Sequence, residues 1–158
     1  MSSPFARLVL PDSPDMQRLA AQIAPLLRAG DTALLDGDIG AGKTTFARAL
    51  IQTRLGRAED VPSPTFTLVQ TYAADEVEIW HCDLYRLTAP DEVMELGLSQ
   101  AFETAICLIE WPDRLGSDAP PAALHCQFTA GADAHHLTLS GPAAWADRLA
   151  PVLDQALV

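Results

Sequence analysis

The sequence contains no asparagine, and its only lysine is Lys43. Without asparagine there is neither an Asn-Lys-x-Asp guanine-reading motif nor a protein-kinase catalytic loop, whose Asn holds magnesium. Long hydrophobic runs are also missing: the longest, Ala105 to Ile109, falls far short of the ~20 residues that a membrane-spanning helix needs. The stretch Met1 to Arg7 lacks the positive start and apolar core of a secretory signal, so the expected location is the cytoplasm. Cysteines number three, Cys82, Cys107 and Cys126, widely spaced and odd in count. They read as small buried hydrophobes in a reduced compartment rather than as a disulfide framework. Basic residues are scarce: 10 Lys and Arg face 21 Asp and Glu, a net charge of −11. That field repels phosphate backbones, and the arginines from Arg7 to Arg148 form no cluster, so strong nucleic-acid binding by the isolated chain is disfavoured.

What is present suffices for one folded domain over residues 1–158, since 49% of the residues are hydrophobic and the mean hydropathy is +0.11. Residues 5 to 10 predict a strand ended by Pro11. Ser13-Pro14-Asp15 starts a helix with Leu19, Ile23, Leu26 and Leu27 on one stripe, a kink at Pro25 and a stop at Gly30. Thr32 to Asp36 is a short strand leading into a glycine-rich turn and a second helix, with Ala47, Leu50, Ile51 and Leu55 inward. After a loop from Arg57 to Pro64, residues 65–72 and 77–82 predict a hairpin, followed by a short helix from Thr88 to near Gly97 and another turn of helix around Ser99 to Glu103. Ala105 to Ile109, apolar throughout, predicts a central strand covered on both faces. Gly116 to Pro121 reads as a loop or linker, residues 124–129 and 136–140 as a second hairpin, and Pro142 to Leu157 as a closing helix. The expected fold is an α/β three-layer sandwich with a mixed, mainly parallel central sheet plus antiparallel hairpins.

Gly37-Asp38-Ile39-Gly40-Ala41-Gly42-Lys43-Thr44 satisfies G-x-x-x-x-G-K-[ST] in full, between a predicted strand and a predicted helix. The chemistry explains the residue types. Glycines let backbone N–H groups turn inward around a phosphate, and the helix starting at Lys43 aims its positive dipole end at the same anion. Lys43 neutralises the β- and γ-phosphates, and the Thr44 hydroxyl offers a hard oxygen to Mg²⁺. Thr45 continues the cradle, while Asp38 faces solvent or contributes its backbone N–H alone. A magnesium nucleotide needs acids opposite this turn, and two stand at strand ends: Glu110 after residues 105–109, and Asp83 after residues 77–82. One would hold the Mg²⁺ shell and the other orient the attacking water. Zinc is not expected. His81-Cys82 and His125-Cys126 are strand neighbours whose side chains point to opposite faces, and His135-His136 fails for the same reason. Trp80 and Trp145 read as core.

Four motifs in one order, Gly-Asp-Ile-Gly-Ala-Gly-Lys-Thr-Thr (37 to 45), Ser-Pro-Thr-Phe-Thr-Leu-Val (63 to 69), His-Cys-Asp-Leu-Tyr-Arg-Leu (81 to 87) and Ile-Glu-Trp-Pro (109 to 112), resemble the bacterial TsaE (YjeE) family. The resemblance spans roughly residues 32 to 115. It implies a P-loop NTPase-like fold and an ATPase that supports threonylcarbamoylation of tRNA adenosine, working with a TsaB–TsaD protein pair to reset their cycle. It also implies site roles: Lys43 and Thr44 on phosphate and magnesium, Glu110 as the Walker B-like acid, Asp83 as the further acid, Thr65 near the γ-phosphate in a Ser63 to Phe66 switch, and Trp111 beside the site. Ile39, where the family usually has Leu, and Cys82, where a larger residue is common, are mild departures. The adenine pocket carries no motif, and Asp12 with Ser13 is the candidate for touching the base. Two other readings compete with an ATPase: a small-molecule P-loop kinase, for which no arginine-rich lid segment is evident, and a non-catalytic nucleotide-gated binding module, which would not need Asp83 and Glu110.

Overall fold

The computed structural model describes residues 4–38, 41–56, 61, 69–74, 76–85 and 97–156. Their order is β1 (Pro4–Leu10), α1 (Ser13–Ile23), β2 (Thr32–Gly37), α2 (Lys43–Leu55), β3 (Val69–Ala74), β4 (Val77–Asp83), α3 (Leu98–Thr104), β5 (Ile106–Glu110), β6 (Leu124–Ala130), β7 (His135–Ser140) and α4 (Ala143–Ala156), with 3-10 turns at Ala24–Leu26 and Pro112–Asp118. The strands form one sheet in the order β1-β7-β6-β2-β5-β4-β3. At its centre β6, β2, β5 and β4 run parallel. On the flanks β7, β1 and β3 pair antiparallel. The mixed α/β sheet expected from the sequence is therefore present. No helix among the described residues is long and apolar enough to cross a membrane.

Strand composition decides how each part of the sheet is covered. β5 is buried at every position, as an all-apolar strand ending in one acid must be when both faces are packed. Its alternate residues feed two cores: Ile106 and Leu108, with Ala33, Leu35 and Ile79, face α1, α2 and α4, whereas Cys107 and Ile109, with Leu34 and Cys82, face α3 and the Pro112–Asp118 turn. β6 instead alternates, with Leu124, Cys126 and Phe128 buried and His125, Gln127 and Thr129 exposed. The sandwich is thus three layers thick over β2, β5 and β4, and two layers thick over β6, β7 and β1. All three cysteines are buried and free. Burial pushes the Cys107 and Cys126 thiols up to about 12 and Cys82 well above its usual value, which makes them inert.

Local signals set the helix ends. Asp12 caps α1 by accepting from the Asp15 N–H at 2.9 Å, with Pro14 in the first turn. α1 does not bend at Pro25 and run on to Gly30; it stops at Ile23, because Pro25 has no N–H to continue the ladder, and a 3-10 turn follows. Arg54 of α2 secures that turn by donating to the Ala24 and Leu27 carbonyls at 3.3 and 3.2 Å. The 116–121 segment is also not a linker. Leu115 is fully buried and anchors the Pro112–Asp118 turn, whose kink falls at Gly116. The first hairpin is tighter than expected, since β3 and β4 pair as far as Ala74 opposite Val77. The Arg57 to Pro64 loop (Val61 apart), residues 65–68 and the helix from Thr88 lie outside the described residues.

Candidate functional site

Parallel pairing brings three strand ends to one edge of the sheet. Leu35 of β2 and Asp83 of β4 are both in register with Glu110 of β5, and α2 begins six residues after β2 ends. Open α/β sheets take their ligands at this carboxyl edge. Asp83 and Glu110 do not follow their strands, as the sequence reading had it, but are their last residues. On the face toward α2, Ile79, His81 and Asp83 alternate down β4 beside Ile106, Leu108 and Glu110 on β5, so the apolar layer turns polar at its top.

The turn between β2 and α2 demands glycine at both ends. Gly37 has φ 140°, and a Cβ there would lie 2.3 Å from the Phe128 carbonyl oxygen. Gly42 has φ 108°, and a Cβ would come within 2.8 Å of the Met16 side chain and 3.5 Å of the His135 ring. Between them, Ala41 donates its N–H to the Asp38 carbonyl at 3.1 Å, and the Asp38 side chain is exposed. Ile39 and Gly40 lie outside the described residues, as does Thr65 with the Ser63 to Phe66 segment.

Lys43 opens α2 and is only 5% exposed. Its Nζ donates to the Gly37 carbonyl at 2.5 Å and stands 3.7 Å from the centre of the Trp111 ring, a cation–π contact. Among the described residues it has no salt bridge. Burial holds its ammonium below the usual lysine range, opposed in decreasing order by the negative charges of Glu110, Asp83, Asp36 and Asp38. Thr44 donates its hydroxyl to Glu110 Oε1 at 3.0 Å, and His81 Nε2 lies 2.6 Å from Glu110 Oε2. Asp83 Oδ1 accepts the Tyr85 N–H at 3.1 Å. Trp111 adopts φ 60° and ψ 56°, alone among the described non-glycine residues in having positive φ. For a bulky residue that conformation costs about 1–2 kcal/mol. It turns the indole over Lys43 and against the Tyr85 ring, 4.8 Å between centroids.

Of the residues singled out by sequence, the structure thus gathers Gly37, Gly42, Lys43, Thr44, Asp83, Glu110 and Trp111. Thr45 sits half-buried in the first turn of α2, and the Asp12 carboxylate is engaged as a helix cap. Asp36, Tyr85 and above all His81 were missed. Along the chain His81 pairs in a motif only with Cys82, whereas its partner, Glu110, is across the sheet; the His-x-Asp spacing, which places 81 and 83 on one face, is the signal the sequence carries.

The donor set fits Mg²⁺ with a nucleotide. It is made of hard oxygens, the Thr44 hydroxyl and the Glu110 and Asp83 carboxylates, gathered at one sheet edge. That suits an ion which takes one or two carboxylates and completes its shell with water and substrate phosphate. Lys43 supplies a buried cation beside those oxygens.

Fold and site together define a class: an α/β protein with a G-x-x-x-x-G-K-[ST] turn sequence between a central parallel strand and its following helix. Residues 10–137 match the family model described as threonylcarbamoyl adenosine biosynthesis protein TsaE, and the chain belongs to that family. Proteins named tRNA threonylcarbamoyladenosine biosynthesis protein TsaE are similar to it in Haemophilus influenzae, at 37% identity over 82% of this chain and 85% of that one, and in Bacillus subtilis, at 34% over 80% and 79%. The Rickettsia felis protein of that name is 42% identical over 67% of this chain, which spans 62% of its length and 57% of its Rickettsia conorii counterpart's. The crystal structure of Bacillus subtilis YdiB shares the fold, with a TM-score of 0.79 at 24% identity over 96% of this chain and 95% of that one.

Proposed function

We propose that the protein binds ATP and ADP with Mg²⁺ and hydrolyses ATP in the cytoplasm in support of tRNA threonylcarbamoyladenosine biosynthesis, acting on a TsaB–TsaD protein pair. One observation carries the reading: Lys43 and Thr44 of α2 and Glu110 of β5 meet at the head of α2, with Thr44 bonded at 3.0 Å to Glu110, 66 residues away in sequence. Membership in a family whose members are named for this pathway supplies the context.

Each group has a task that follows from its chemistry. Lys43 binds the phosphates, exchanging the Gly37 carbonyl and the Trp111 ring for a full negative charge. The N-terminus of α2 adds its dipole, and the glycines let the chain approach closely. Thr44 and Glu110 would hold the metal, which when bound would neutralise the developing phosphate charge. Asp83, the further acid at the same sheet edge, would orient the attacking water by accepting its proton in a hydrogen bond. Trp111, in ring contact with Tyr85, walls the Lys43 ammonium on one side.

Adding a TsaB–TsaD pair should raise ATP turnover and bind the chain in a nucleotide-dependent way, whereas the chain alone should hold tRNA weakly at physiological salt, given its charge of −11. Strong tRNA binding with no response to the pair would defeat this reading. Stoichiometric transfer of phosphate to a small acceptor would identify a kinase instead.

A further inference from the structure

We propose that His81 is the positioning residue of Glu110, locking the plane of its carboxylate so that the oxygen shared with Thr44 faces the metal and phosphate side. The inference rests on the metal role assigned above to Glu110 and names a residue that role requires. Glu110 is 2% exposed, and each of its oxygens has a separate partner: Thr44 Oγ1 at 3.0 Å from Oε1 and His81 Nε2 at 2.6 Å from Oε2. A carboxylate rotates broadly about its last torsion, so one hydrogen bond leaves its plane free and two on opposite oxygens fix it.

The parallel register makes this pairing possible. His81 is opposite Leu108, and Asp83 is opposite Glu110, so His81 lies one diagonal step from Glu110 on the same face. The imidazole is fully buried, and its Nδ1 has no hydrogen-bond partner among the described residues. A carboxylate only accepts, so Nε2 carries a proton toward Glu110 and Nδ1 takes no part in that bond. An apolar side chain would fill the space without burying an unpaired nitrogen. The imidazole is therefore explained by what Nε2 does and not by packing. Outer-shell partners of this kind typically change metal affinity or activity by about 10–100-fold when removed.

Two substitutions separate the two ring nitrogens. In His81→Gln the amide nitrogen falls near the Nε2 position and can still donate to Glu110; in His81→Asn it falls near Nδ1 and cannot. The readout is ADP affinity by calorimetry with and without Mg²⁺, together with the Mg²⁺ concentration giving half-maximal ATP turnover. Metal-free ADP affinity should stay within about twofold in both variants, because the phosphate contacts are untouched. The gain on adding Mg²⁺ should survive in His81→Gln and shrink about tenfold or more in His81→Asn. His81→Asn combined with Glu110→Ala should behave as Glu110→Ala alone, since His81 acts only through that acid. Equal behaviour of the Gln and Asn variants, or unfolding of both, overturns the proposal. Should Glu110→Ala itself keep the whole Mg²⁺ gain, the metal role of Glu110 fails first, an outcome distinct from a silent His81→Asn beside a defective Glu110→Ala.

Discussion

At the carboxyl ends of β2, β4 and β5, the charged or titratable residues Lys43, His81, Asp83 and Glu110 are at most 7% exposed. Just before β2 begins, at the opposite end, Asp31 meets Arg148 of α4 at 2.5 Å, with 15% and 22% of their side chains exposed. The second pair is a clasp. Asp31 also accepts the Arg28 N–H at 2.6 Å, and Arg148 lies 4.3 Å from the centre of the Trp145 ring, so both partners are satisfied and water reaches them. In the first group, among the described residues, Lys43 is held by one carbonyl and an indole face, and His81 has one ring nitrogen without a partner. Buried charge without full pairing is a burden on folding that a ligand relieves. One sheet therefore carries a structural use of charge at one end and, on the function proposed above, a binding use at the other.

The comparison breaks most visibly at Lys43. Lys43→Met removes the buried cation but keeps most of its volume, so calorimetry should show ADP affinity down a hundredfold or more, while the nucleotide-free protein melts at the same temperature or higher. The folded protein gives up the Lys43 proton at lower pH than the unfolded chain, whose lysine titrates near 10.5. The charged form thus detracts from stability below the folded pKa, and the loss is relieved as pH rises through it toward 10.5. Melting temperatures of wild type and Lys43→Met should converge over that window, and wild-type ADP affinity should fall over the same range. Constant affinity across it would remove Lys43 from the phosphate site.

The acids give the next effect. Asp83→Ala and Glu110→Ala should each leave a folded protein that binds metal-free ADP, with ATP turnover in the partner-activated state lower by about tenfold or more. Wild-type turnover in either variant would reduce that carboxylate to a strand end. The smallest effect belongs to the clasp: Arg148→Ala should lose about 1 kcal/mol, seen as a drop of roughly 2–4 °C in melting temperature, with nucleotide affinity unchanged. A change in affinity there would mean that the two ends of the sheet are coupled.

How much was legible in the sequence depended on whether a feature is covalent or crosses strands. The Gly37 to Thr44 turn was readable because its spacing along the chain is the chemistry. Asp83 and Glu110 were readable because each closes a predicted strand, all-apolar in the case of Glu110, a signal internal to that strand. His81 was not, because its partner depends on the register between β4 and β5, which no single stretch encodes. Leu26 and Leu27 continued the stripe of α1 beyond Pro25 and masked a break in the backbone ladder. Gly116 and the two prolines after it looked like a linker because the anchor, Leu115, is one buried residue among polar neighbours. Asp12 was offered as a contact to a base; its visible work is at the start of α1, the commonest use of Asp before Ser-Pro.

The approach of the Phe128 carbonyl to Gly37 bears on how far this protein can be taken apart. The β6–β7 hairpin carries none of the motifs, and by sequence resemblance it counts for little more than length. Yet β6 lies alongside β2 up to the residue where the glycine turn begins, with Gly37 directly opposite Phe128. The strand that contributes no chemistry is thus the template against which the turn is shaped. Modularity drawn from motif boundaries, roughly residues 32 to 115, would cut away the mould and keep the casting.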